Sequence, residues 1–364
     1  TMSNITSIGN KLQDGDPKPL ELVPSTSLSV NDTEGNIIDD SVPMRIKTTK
    51  STKEGLLGII GNLPGLKALA LELKGEAVQK ILEGCTEEAR SFAICAIIFG
   101  VYDPYIGKIR YPKNSIHMHV FGRLQAGKTA AIRAFLKLSK EIYGDAAVST
   151  IINPSADNSL HAQLVSRVGP EICMSLKGST VSAHKHIQSF KFWLKTRTKL
   201  EEGTHYSISD DGRINFDEEI KFTVINDESH WSARKGGKIY GEYYSTFMID
   251  PKNHPEDWEQ GASTTVLTTS ATECDELLHL ESQFYKGCSR VLIELECGEG
   301  YKGVEELISS GNIKDFPESG LPNIKNTEDF CEKFINEFWP KEIAAGKRRG
   351  DAGTLGILKV GNKK

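Results

Sequence analysis

The chain has 364 residues, 38% of them hydrophobic and 26% charged, with a formal net charge of −5, the make-up of a globular chain long enough for two ordinary domains. No apolar run approaches the roughly 18 residues of a membrane span, and the first residues carry no secretory h-region, so a soluble, intracellular protein is expected. The acidic balance leaves any nucleic-acid contact to local basic patches, and seven cysteines at 85, 95, 173, 274, 288, 297 and 331 without a C-x-x-C pair argue against a zinc site or a disulfide framework.

Residues 1–53 are rich in Ser, Thr, Asn, Asp and Pro and read as an extended polar arm, with hairpin chemistry around Asn31–Ile38. A helical N-terminal region follows over 54–112. Leu66, Leu69, Leu71, Leu73, Val78, Ile81 and Leu82 suggest two short helices joined near Gly75, and Thr86 opens a third. From 113 to 300 the pattern changes. Ile116–Phe121 reads as a buried strand and Ala147–Ile152 as a second. A helix runs through Leu160, Leu164 and Val165, and a basic amphipathic helix covers 188–199. A hairpin turns at Asp210-Asp-Gly212. Three short β-branched runs follow, Phe222–Ile225, Thr264–Leu267 and Val291–Leu295. Their helix-length separations predict an α/β domain with a mainly parallel sheet. Residues 301–346 read as a helical extension.

Between the first strand and the first α/β helix lie Gly122, Arg123, Leu124, Gln125, Ala126, Gly127, Lys128 and Thr129, with Ala130 continuing into the helix. They match G-x-x-x-x-G-K-[ST], the phosphate loop, in the strand–loop–helix context that the chemistry requires. The glycines let backbone N–H groups turn inward on phosphate oxygens. The helix adds unpaired amides and the positive end of its dipole. Lys128 would neutralise the β- and γ-phosphates of ATP, and the Thr129 hydroxyl would ligate Mg²⁺. A second anchor, Asp227-Glu228-Ser229-His230, ends an apolar strand. Asp227 is assigned to the metal, through water, and Glu228 to general-base or water-positioning work. A third, Ser270-Ala271-Thr272, ends the next strand.

In that order these elements resemble the first RecA-like motor domain of superfamily 2 helicases and translocases, over roughly residues 113–300. The resemblance implies a RecA-like phosphate-loop NTPase fold and ATP-driven work on nucleic acid, with DNA favoured over RNA. It implies that Ser270 and Thr272 couple the nucleotide site to nucleic acid, with His230 contacting that third motif. Asn153 and Ser155 fall in a divergent version of the segment that touches the nucleic-acid backbone. Gly353–Gly361 looks like the first strand of a second such domain, so 347–364 reads as a linker followed by that strand and a longer motor is expected. A large-terminase type of viral packaging ATPase shares the order of motifs and is the leading alternative, which would make this a viral protein acting in a host cell. A non-hydrolysing nucleotide-binding scaffold is the other; the intact Lys128, Thr129, Asp227 and Glu228 speak against it.

The nucleic-acid side has two open readings. Lys191, Lys195, Arg197 and Lys199 beside Phe192 and Trp193 would track phosphates with aromatic stacking. The plainer reading buries both aromatics under outward-facing lysines. Arg234 and Lys235 belong to a basic loop that is either a contact or a solvated turn. His117 and His119 share a strand face, but no third and fourth metal ligands stand at a supporting spacing, and they read as packed imidazoles.

Overall fold

The computed structural model describes residues 44–103, 108–109, 116–123, 126–153, 158–177, 183–210, 212, 214–229, 264–271, 289–298, 301, 303, 309 and 336. The chain divides into two compact units, Thr1–Tyr301 and Lys302–Lys364. In the second unit only 303, 309 and 336 are described, so the expected linker and strand at 347–364 lie outside the described residues.

The first unit is an α/β structure built on a seven-stranded sheet. Its strands are β1 (Met44–Lys47), β4 (Ile116–Phe121), β5 (Ala147–Asn153), β6 (Met174–Lys177), β9 (Lys221–Asn226), β10 (Thr264–Ser270) and β11 (Ser289–Glu294), in the order β1-β11-β4-β10-β9-β5-β6. Every pairing in it is parallel. This is the parallel α/β sheet that the strand spacing predicts. The small ribbons β2 (Tyr102–Asp103) with β3 (Lys108–Ile109), and β7 (Tyr206–Ile208) with β8 (Ile214–Phe216), are antiparallel. The second is the hairpin that the Asp-Gly turn predicts. β1 falls within the stretch read as a polar arm, where Met44–Lys47 adds an edge strand to β11. β6 is the opposite edge, a strand too short and polar for its pattern to announce.

Helices α1 (Lys50–Asn62), α2 (Lys67–Lys74), α3 (Glu76–Ile81), α4 (Glu87–Val101), α5 (Lys128–Tyr143) and α6 (Asn158–Val168) lie on one sheet face. Thr86 caps α4, its side chain accepting from the Ala89 N–H at 3.3 Å. α4 is apolar nearly all round and buried from Ser91 to Phe99, as a helix must be when it packs against both α1 and α5. The N-terminal helices therefore share one core with Met118, Val120, Ile225, Leu267 and Ile293 of the sheet, rather than forming a core of their own. Leu71, counted above in the helical pattern, is 62% exposed. On the other face, Val148, Ile152, Val224 and Val266 pack with Phe190, Trp193 and Leu194 of α7 (Ala183–Arg197). Each large side chain enclosed in these cores contributes about 1.5–3 kcal/mol. The strand ends that hold the site are thus clamped from both sides.

Candidate functional site at the carboxyl ends of β4, β9 and β10

Because all seven strands run the same way, the phosphate loop after β4, the acidic pair after β9 and the end of β10 emerge on one sheet edge. Such an edge is where open α/β sheets bind ligands. β10 lies between β4 and β9 and pairs with both, so its last residues touch both anchors.

The loop is shaped by two glycines for different reasons. Gly127 has φ +88, in the left-handed region, and caps α5 without any side-chain hydrogen bond. No described residue lies within 4 Å of where a Cβ would stand on it. The unpaired first-turn amides of a 16-residue helix follow it, a cradle suited to phosphate oxygens. At Gly122 the requirement is close approach, since a Cβ there would stand 3.3 Å from the Leu295 Cβ. Leu295 follows β11 and donates its N–H to the Phe121 carbonyl at 2.7 Å. The Ala126 N–H donates to the Arg123 carbonyl at 3.0 Å, closing the turn. Leu124 and Gln125 lie outside the described residues, Thr129 is half-buried and Ala130 is exposed.

Lys128 is buried, and its Nζ donates to the carbonyls of Gly122 at 3.0 Å and Arg123 at 3.2 Å. Burial lowers its pKa from the ordinary 10.5, while the charges of Glu228, Asp227 and Cys297 act in the opposite direction. The lysine and the acidic pair are therefore in electrostatic reach of one another. Asp227 sits just past β9, its N–H on the Ile152 carbonyl at 3.0 Å. Burial raises its pKa above 3.8, against the Thr269 hydrogen bond and the Lys128 charge. Glu228 takes φ +56, the sole positive-φ non-glycine among the described residues, at a cost on the order of 1 kcal/mol.

The residue that ties the site together is Thr269. Its Oγ1 donates to Asp227 Oδ1 at 2.7 Å and accepts from the Glu228 N–H at 3.3 Å. One residue on, the Ser270 carbonyl accepts from the Gly122 N–H at 3.2 Å. Sequence reasoning placed coupling on Ser270 and Thr272 and missed Thr269. The available signal was a pair of threonines ending a central strand, where a buried hydroxyl needs a partner. Ser270 is fully buried, while Thr272 and His230 lie outside the described residues. Cys297, which acts on Lys128, was also missed.

Of the expected nucleic-acid residues, Asn153, Lys195 and Arg197 are described. Asn153 is buried at the end of β5, only 2% exposed. Ser155, Arg234 and Lys235 lie outside the described residues. Lys195 and Arg197 are exposed on α7. The reading that buries both aromatics holds for Trp193, 6% exposed with its Nε1 on the Pro170 carbonyl at 2.9 Å, but not for Phe192, 70% exposed. Helical geometry explains the difference, since neighbours in sequence point about 100° apart and only one can face the sheet. His117 Nε2 and His119 Nδ1 both meet Thr268 Oγ1, at 3.0 and 2.6 Å. Among the described residues no group of three or more His, Cys, Asp or Glu is placed to hold a metal on its own, and no helix is long and apolar enough to cross a membrane.

For Mg²⁺, the donor set fits. A half-buried threonine hydroxyl opens the helix after the cradle, and a carboxylate oriented by Thr269 stands across the site. These are the hard oxygen donors that the ion prefers when phosphates complete its shell.

No protein-family model matches the sequence, and no curated protein does. Among solved structures, C. elegans PCH-2 is similar over 78% of this chain and 62% of that one, at 12% identity and a TM-score of 0.30. The cytoplasmic domain of the Thermomonospora curvata type VII secretion ATPase EccC is similar over 46% of this chain and 18% of that one, at 13% identity and a TM-score of 0.23. A chain of the E. coli MS115-1 HORMA:CdnC:Trip13 complex is similar over 82% of both chains, at 10% identity and a TM-score of 0.25. The matched region thus spans less than two thirds of PCH-2 and under a fifth of EccC. The site described above, on its own geometry, is a phosphate-loop arrangement at the carboxyl ends of a parallel sheet.

Proposed function

We propose that this chain hydrolyses ATP to drive movement along, or separation of, nucleic acid, as a motor of superfamily 2 type. The observation that supports this most is the double attachment of the end of β10. Thr269 holds Asp227 and the Glu228 amide, while Ser270 holds Gly122 of the phosphate loop. A shift of that strand end alters both halves of the nucleotide site together, which is what coupling hydrolysis to a distant partner demands.

The residues divide the chemistry. The α5 amides and Lys128 bind the triphosphate, and phosphate oxygens displace the Gly122 and Arg123 carbonyls as the stronger acceptors for the ammonium. Thr129 and Asp227 would hold Mg²⁺, which when bound supplies charge neutralisation across the β- and γ-phosphates. Glu228 orients a water for in-line attack and takes up its proton. Thr269 fixes the spacing of the two carboxylates by binding one side chain and the other's backbone.

The test is phosphate release from ATP with and without single-stranded oligonucleotide, comparing the natural chain with Glu228→Gln. Stimulation by the oligonucleotide, abolished by a substitution that leaves ATP bound, is the expected result. Hydrolysis indifferent to nucleic acid would remove the motor reading.

A further inference from the structure

The outer face of α7 is unlike the rest of this acidic chain. Between Glu171 and Glu201 there is no Asp or Glu, whereas Lys177, Lys185, Lys191, Lys195, Arg197 and Lys199 all fall in that run. On the helix, Lys185, Gln188, Ser189, Phe192, Lys195 and Thr196 are exposed and follow the spacing of a single helical face. Phe192 stands in the middle of it, 70% exposed. Beneath it, Met174 of edge strand β6, Trp193 and Arg197 help to line a shallow groove of about 450 Å³. Lys199 is partly spoken for by Asp145 at 3.1 Å; among the described residues Lys185, Lys195 and Arg197 form no such ion pair.

We infer that this face binds single-stranded nucleic acid, with a base stacked on the Phe192 ring and the backbone phosphates met by Lys185, Lys195 and Arg197. The inference rests on the nucleic-acid reading proposed above and gives it a location away from the motif segments. The chemistry selects the partner. A large exposed ring is costly to leave in water, and stacking on a base recovers that cost without regard to sequence. A polyanion matches an acid-free stripe of cations. A membrane surface fits less well, because Phe192 is flanked on its own face by Gln188, Ser189 and Thr196 rather than by the apolar stripe of an interfacial helix. A duplex fits less well too, since its bases are already stacked on one another.

The experiment is fluorescence anisotropy of the full chain with a labelled single-stranded oligothymidylate across a salt series. Parallel titrations use a duplex of the same length and phosphatidylserine vesicles. Phe192→Ala is expected to weaken binding about 5- to 100-fold with an unchanged salt slope, and Phe192→Tyr to restore it. Lys195→Ala should lower the salt slope by about one ion or less. Calorimetry with ATP is run on every variant and should show no change, so loss of fold or of the nucleotide site is read separately. Equal oligothymidylate affinity in the natural chain and Phe192→Ala overturns this location while leaving the motor reading intact. Absence of oligonucleotide binding with ATP still bound overturns both. Vesicle binding that depends on Phe192, without oligonucleotide binding, assigns the face to a membrane and overturns the inference.

Discussion

The hydroxyl of Thr269 donates to Asp227 at 2.7 Å and accepts from the amide of Glu228 at 3.3 Å, so one side chain on β10 sets the geometry of the acidic pair after β9. Thr269→Val keeps the shape and removes the hydroxyl. It should cost about 1–3 kcal/mol of stability, because Asp227 then loses a donor in a partly dry site. Hydrolysis should fall about 10- to 100-fold as Glu228 drifts from its water, with ATP affinity changed less than about threefold. Thr269→Ser should recover most of both. Steady-state kinetics with a binding isotherm separates this from general unfolding, which would reduce affinity and turnover together.

Protons should move in opposite directions at the two halves of the site. Burial holds Lys128 below 10.5 and Asp227 above 3.8. Triphosphate beside Lys128 favours its charged form, so nucleotide binding takes up protons on the alkaline side. A divalent cation on Asp227 favours the carboxylate, so metal binding releases protons on the acid side, and metal affinity falls as pH drops through the raised pKa of this group. Calorimetry in pairs of buffers with different ionisation heats measures both. Lys128→Met should erase the uptake, and Asp227→Asn the release.

The buried His119 gives a pH dependence of stability rather than of activity. His119 is 1% exposed, and burial drives its imidazole from 6.5 down to about 4. Its Nε2 has no hydrogen-bond partner among the described residues. The unfolded chain binds this proton more readily than the fold, so stability is retained above pH 6.5 and lost as pH falls towards about 4. The full loss from this one group is about 3 kcal/mol. Urea denaturation across that interval should show a shallower slope for His119→Gln, which keeps a polar partner for Thr268 but does not titrate. Parallel slopes would mean that the imidazole takes up its proton as readily in the fold as in the unfolded chain.

Much of this was legible in the sequence because the phosphate loop and the parallel strands advertise themselves locally. Gly122, Gly127 and Lys128 are fixed by backbone shape and charge at a set spacing, and β4, β9, β10 and β11 are apolar runs bounded by loops. What pairing brings together was harder to see. Thr269 meets Asp227, and Leu295 meets Gly122, across neighbours far apart in the chain, and no window of sequence contains either pair. Edge strands β1 and β6 are short and half polar, so periodicity does not mark them. On α7 the composition showed that charge and aromatic residues coincide, but only the rotation of the helix against β5 and β9 decided that Trp193 is covered and Phe192 is not.

The central claim, that Lys128 and the amides around it form the triphosphate site, is tested most directly by calorimetric titration of ATP with Mg²⁺ into the natural chain and Lys128→Ala. Lys128 donates to Gly122 and Arg123 from within the loop, so its removal takes away both a loop brace and the main cation. Saturable binding by the natural chain and no measurable heat with a Lys128→Ala chain that is still folded is the predicted result. Equal affinities for the two proteins would contradict the assignment of this loop, and with it the account of the site.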